Sequence, residues 1–156
     1  MNSTASLPQK ETKMNEPLVE IVLVEDNPND VELIMHALKQ NHVANKVKVI
    51  RDGEEAVNYL LGEGLAKGRR PKFILLDLKL PKISGLEVLK KIKSSQQTKY
   101  IPVVVLTSSR EERDILDSYD LGANSYVTKP VDFEQFSYAL NQIGYYWLSL
   151  NECPMD

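Results

Sequence analysis

The sequence predicts an α/β fold, a doubly wound five-stranded parallel sheet with helices on both faces. From Val19 onward, short apolar runs alternate with amphipathic stretches, which is the pattern of repeated βα units. The runs are mostly Val, Ile and Leu without polar alternation, as strands covered on both faces require. At 156 residues the chain is long enough for one domain with a real core and short for two.

The predicted strands are Val19–Val24, Val47–Ile50, Phe73–Leu78, Val103–Leu106 and Ser125–Val127. Between them Val31, Ile34 and Leu38 share one helical face, as do Ala56, Val57, Leu60 and Leu61, and then Leu86, Leu89 and Ile92. Asn27 is a cap with Pro28 at the first helical position. Gly122 stands after Ile115, Leu116 and Tyr119, where a glycine ends a helix, so the fourth helix stops near Leu121. A last helix from Asp132 lines up Phe133, Phe136, Leu140, Ile143 and Trp147. Five such units fit the flavodoxin-like strand order 2-1-3-4-5, whose ligand site lies beyond the strand C-termini where strands 1 and 3 are neighbours.

Composition narrows the function. Lys and Arg total 19 against 22 Asp and Glu, a net charge of −3, which gives no field to hold a nucleic acid. Cys153 is the sole cysteine, so no intrachain disulfide and no cysteine-based zinc site can form. No run reaches the roughly 18 apolar residues of a membrane span, and residues 1–17, with two prolines and no periodicity, lack a signal peptide's apolar stretch. They read as a disordered tail of a cytoplasmic protein.

Polar residues collect at the strand C-termini: Glu25 and Asp26 after the first, Asp77 at the third, Thr107 after the fourth and Lys129 after the fifth. Three carboxylates at one switch point repel unless a cation intervenes. Mg²⁺ suits them, because it accepts one or two carboxylates and leaves positions for water and phosphate oxygen. Lys129 adds a point charge for phosphate and Thr107 a hydroxyl donor. Phosphoryl transfer to a carboxylate needs such a set, and Asp77, fixed by the apolar run before it, is the expected acceptor.

Glu25-Asp26, Asp77 with Pro81 and Gly85, Thr107-Ser108, and Tyr126-Val127-Thr128-Lys129-Pro130 resemble the receiver domains of response regulators. The resemblance spans about residues 19–148. It implies a receiver domain over 18–150, between tails at 1–17 and 151–156, phosphorylated by a sensor histidine kinase. It further implies that Asp77 is the phospho-acceptor, that Asp26, Asp77 and the Lys79 carbonyl bind Mg²⁺ with Glu25 acting through water, and that Thr107 and Tyr126 form a switch pair. Glu25 departs from the Asp that the family commonly has there, which bears on metal affinity. The basic loop Gly62–Lys72 and the ending Asn141-Gln142-Ile143-Gly144-Tyr145-Tyr146-Trp147-Leu148 resemble the single-domain regulators of cyanobacterial and bacterial phytochromes.

Plainer roles compete. Thr107 could simply open a helix-capping Thr-Ser-Ser-Arg-Glu-Glu run, and Tyr126 could be a packed strand aromatic. Lys90, Lys91 and Lys93 read as a solvated helix face, Lys67, Arg69 and Arg70 as a soluble loop, and His36 and His42 as surface residues without a second metal ligand. A haloacid-dehalogenase-type phosphatase would need a general acid two residues after its nucleophile, where this chain has Lys79. A flavin-phosphate module would not place Glu25-Asp26-Asn27-Pro28-Asn29-Asp30 in its first βα turn. A degenerate receiver acting as a scaffold would not need Asp77, Thr107 and Lys129 together. The last helix carries more aromatics than one face can bury, so Tyr145 and Tyr146 are expected at a symmetric homodimer interface.

Overall fold

The computed structural model describes residues 19–40, 46–62, 64–65 and 70–154. The tail at 1–17, His42, Lys67 and Arg69 lie outside the described residues. In chain order the elements are β1 Ile21–Val24, α1 Pro28–Gln40, β2 Val47–Ile50, α2 Gly53–Leu61, β3 Phe73–Leu76, α3 Gly85–Ser94, β4 Val103–Thr107, α4 Glu112–Asp120, β5 Ser125–Thr128 and α5 Phe133–Tyr145, which runs on into a π-helical turn at Tyr146–Leu150. The strands form one parallel sheet in the order β2-β1-β3-β4-β5, as expected.

Two apolar layers flank the sheet. On one side Val22, Val24, Ile74, Leu76, Val103 and Val105 pack with Ala56 and Leu60 of α2 and Val88, Leu89 and Ile92 of α3. On the other Ile21, Leu23, Phe73, Leu75, Val104 and Leu106 pack with Ile34, Ala37 and Leu38 of α1 and Phe136, Leu140 and Ile143 of α5. Alternate residues of each central strand feed opposite layers, which is why these strands are continuously apolar. Burying a side chain of this size stabilises by about 1.5–3 kcal/mol, so both faces of β1 and β3 hold their ends firmly.

The helix punctuation is largely as read. Asn27 Oδ1 accepts from the N–H groups of Asn29 (2.9 Å) and Asp30 (3.1 Å), with Pro28 opening α1. Gly122, at φ 105°, reverses the chain after α4, and a Cβ there would press on the Lys93 stem. Gly85 is fixed by space: a Cβ would run into the Asp77 carbonyl oxygen and the Leu78 Cα.

Some expectations need correction. The first strand begins at Ile21, and β3 ends at Leu76, so Asp77 lies just past its strand. Lys90 and Lys91 are exposed, but Lys93 is not a solvated charge. Its ammonium donates to the carbonyls of Lys99 (3.2 Å) and Ile101 (2.8 Å) and to Asn124 Oδ1 (3.0 Å), tying α3 to the segment that leads into β4 and to the residue before β5. Phe133 does not join the buried stripe, since it is 41% exposed and its ring lies 6.0 Å from that of His36. In α4, Leu116 and Tyr119 face outward and Ser118 is the buried residue.

Candidate functional site

Backbone ladders place the site. Glu25, Asp77 and Lys129 are each the first residue after their strands, and each still hydrogen-bonds to a neighbouring strand: Glu25 N–H to the Ile50 carbonyl (2.9 Å), Asp77 N–H to that of Val24 (3.0 Å) and Lys129 N–H to that of Thr107 (2.7 Å). Three side chains of different strands are therefore aimed from one rigid edge. Carboxylate oxygens of Glu25, Asp26 and Asp77 lie within 4.8 Å of one another. Glu25 and Asp77 are buried, at 1% and 7% exposure, whereas Asp26 is open to water.

Lys129 sits in the middle of this acidity. Its ammonium donates to Glu25 Oε1 at 2.6 Å, to Asp30 Oδ2 at 2.8 Å and to Asp77 Oδ2 at 3.0 Å. Burial works against the charged lysine, but the hydrogen bonds to Asp30 and Glu25 and the charge of Asp77 overcome it and hold the ammonium above its ordinary value. Burial likewise acts to raise Asp77, yet the Lys129 charge and hydrogen bonds from Thr107 and Lys129 keep its carboxyl below the usual range. Glu25 goes the other way. Burial, with the Asp77 charge beside it, pushes it up to about 7 against the pull of Lys129. Four carboxylates thus crowd around one ammonium, and burial makes the charge on Glu25 the costliest of them to hold. A divalent cation would relieve this crowding of charge, and the carboxylate oxygens of Glu25, Asp26 and Asp77, open to solvent through Asp26, are a set that could hold one.

Thr107 is fully buried, and its hydroxyl helps to hold the Asp77 carboxyl low. It does not cap α4. Glu111 is the N-cap of α4 and makes no side-chain capping bond; in the turn before it, Ser109 Oγ accepts from Glu111 N–H (3.3 Å) and donates to Asp114 Oδ2 (2.6 Å). Tyr126 pairs with Val105 across the ladder and so lies on the same sheet face as Thr107. Its hydroxyl donates to the Ser109 carbonyl at 2.9 Å. The segment linking β4 to α4 is thus held at both ends of the Thr107–Tyr126 pair. The Lys79 N–H donates to Asp77 Oδ1 at 3.3 Å, which sets its backbone beside the acceptor carboxylate.

The residues read from sequence at the strand ends come together, while Tyr145 and Tyr146 stand apart at the far end of α5. Both are exposed, at 59% and 48%, and the Tyr146 ring meets Trp147 edge-on at 4.8 Å. Asp30, Ser109 and Asp114 were missed. Asp30 stands in the first turn of α1, and the sequence showed it only as one acidic residue of the first βα turn.

Residues 21–141 match the family model of the response regulator receiver domain. The chain is 42% identical over 135 residues to the probable methanogenesis regulatory protein FilR2 of Methanothrix harundinacea, covering 86% of each. Among solved structures, it is similar to the phosphorylated cyanobacterial phytochrome response regulator RcpA, with 47% identity, a TM-score of 0.79 and coverage of 86% of this chain and 96% of that one. It is also similar to the Mn²⁺-bound form of response regulator Rcp1, with 37% identity, a TM-score of 0.77 and coverage of 88% and 99%.

Proposed function

The chain belongs to the response regulator receiver domain family, and on that premise we propose that it takes a phosphoryl group onto Asp77 from a histidine kinase of the phytochrome type and passes the change to a partner through Thr107 and Tyr126. The observation that carries this is the Lys129 ammonium, 3.0 Å from a buried Asp77 carboxylate that it keeps ionised. An Asp77 oxygen attacks phosphorus, the bond from phosphorus to the donor's imidazole nitrogen breaks, and that nitrogen leaves with the electron pair. Ionised Asp77 is the competent nucleophile at neutral pH, and Lys129 can follow the charge onto a phosphoryl oxygen. Mg²⁺ would be held by Asp26 and Asp77, with Glu25 acting through water and the Lys79 carbonyl as a further oxygen, and it supplies positive charge beside the transferring group.

A phosphoryl group on Asp77 presents new acceptor oxygens to the Thr107 hydroxyl. Moving Thr107 toward them vacates space on the sheet face that it shares with Tyr126, so a charge at the sheet edge becomes a change at the surface near α4. Receiver domains of this kind signal rather than turn over a substrate. The phytochrome assignment draws support from RcpA, a phytochrome response regulator, and from the aromatic ending of α5. The exposed Tyr145 and Tyr146 further support pairing of two copies through α5. Among the described residues, no helix is long and apolar enough to cross a membrane, which accords with the proposed cytoplasmic setting.

Phosphotransfer tests the proposal. Autophosphorylated phytochrome-type kinase, mixed with the protein in Mg²⁺, should lose its label to the chain within the mixing experiment, and chelator should stop the transfer. Retention of the label on the kinase in Mg²⁺, with transfer from unrelated histidine kinases, would overturn the phytochrome pairing. Failure with every kinase would overturn the function.

A further inference from the structure

We propose that Asp30 is a positioning residue for Lys129, holding the ammonium at the rim of the site when Glu25 and Asp77 turn to a divalent cation. This rests on the metal-binding part of the proposed function and extends it to a residue outside the carboxylate cluster. An ammonium has three donors, and in this structure the three go to Glu25, Asp30 and Asp77 at 2.6, 2.8 and 3.0 Å. None is spare for a phosphoryl oxygen.

The three partners differ in what else they can do. Glu25 and Asp77 belong with Asp26 to the set of oxygens within 4.8 Å of one another, and Asp30 does not. Any cation bound there competes with Lys129 for two of its three partners and leaves it the third. Asp30 is built to be that third partner. Its backbone N–H is tied to Asn27 Oδ1 at 3.1 Å in the first turn of α1, and its side chain is 27% exposed against 1% for Glu25 and 8% for Asp77. Water therefore helps to carry the Asp30 charge, which the two buried carboxylates must do without. With Asp30 in place, Lys129 can release two donors, let the cation in, and remain within reach of a phosphoryl group on Asp77. Without it, Lys129 has only the carboxylates that the cation needs, and the two cations compete.

The field of Asp30 alone also favours a dication, so a double-mutant cycle on Mg²⁺ affinity separates positioning from field. Calorimetric titrations with MgCl₂ would compare wild type, Asp30→Asn, Lys129→Met and the double variant. Asp30→Asn should weaken Mg²⁺ binding by about tenfold where Lys129 is present and by less than about twofold in Lys129→Met. Asp30→Glu, which keeps the charge, should recover most of the affinity. The proposal is overturned if Asp30→Asn binds like wild type, or if its loss is the same in both backgrounds, which would make Asp30 a field charge only. A wild type that binds no Mg²⁺ overturns this proposal together with the metal-binding reading, whereas normal wild-type binding with no coupling overturns this one alone. Urea unfolding of each variant in chelator confirms that affinities are read on folded protein.

Discussion

Replacing Glu25 by Gln should remove a pH-dependent loss of stability from the metal-free protein. Folded Glu25 titrates near 7 because burial and the Asp77 charge outweigh the pull of Lys129, and its ordinary value is 4.5. Between those two values the native state holds a proton that the unfolded chain has given up, so stability falls as pH rises through the window. Below it both states are protonated, and above it the whole cost is present. Each pKa unit is worth about 1.4 kcal/mol, which puts the full cost at about 3 kcal/mol. Asp77, held low, has the opposite dependence, since its contribution is lost as pH falls. The difference between wild type and variant isolates Glu25 from Asp77. Urea unfolding in chelator should show Glu25→Gln gaining roughly 2–3 kcal/mol on wild type between pH 5 and pH 8. Mg²⁺ added to wild type at pH 8 should recover much of the same amount. Parallel stability curves for the two proteins would refute the view that Glu25 carries the uncompensated charge.

Other consequences are as direct. Lys93→Met should cost about 1–2 kcal/mol in urea unfolding, because it strips a donor from two carbonyls and Asn124, and an unchanged midpoint would return Lys93 to the class of surface charges. Thr107→Ala should still accept a phosphoryl group, but the Tyr126 ring resonances should no longer respond to it, and an unaltered response would break the proposed coupling. Sedimentation across a concentration series should show a dimer that weakens strongly in Tyr145→Ala, Tyr146→Ala. A wild-type monomer at high micromolar concentration would refute the dimer, and an unaffected variant would refute the patch.

The sheet order and the strand-end residues were legible because continuous apolar runs mark doubly covered strands, and the residue after each run must stand at the C-terminal edge. That reasoning located Glu25, Asp77 and Lys129 without any knowledge of neighbours. It could not supply Asp30 as a partner of Lys129, because that contact joins residues 99 positions apart and depends on how α1 leans over the edge. Lys93 was misread for a related reason: helical spacing put it beside Lys90 and Lys91, while the acceptors it reaches come from the following loop and from Asn124. Phe133 fitted the α5 stripe by periodicity, but it opens the helix, stays exposed, and its ring meets exposed His36 of α1 instead of the core.

The central claim is that Asp77 is the phospho-acceptor, and intact mass spectrometry after treatment with acetyl phosphate tests it most directly. Wild type in Mg²⁺ should gain the mass of one phosphoryl group and lose that gain in chelator, while Asp77→Asn, with a far poorer nucleophile at the same place, should gain nothing under either condition. Equal Mg²⁺-dependent labelling of wild type and Asp77→Asn would contradict the account.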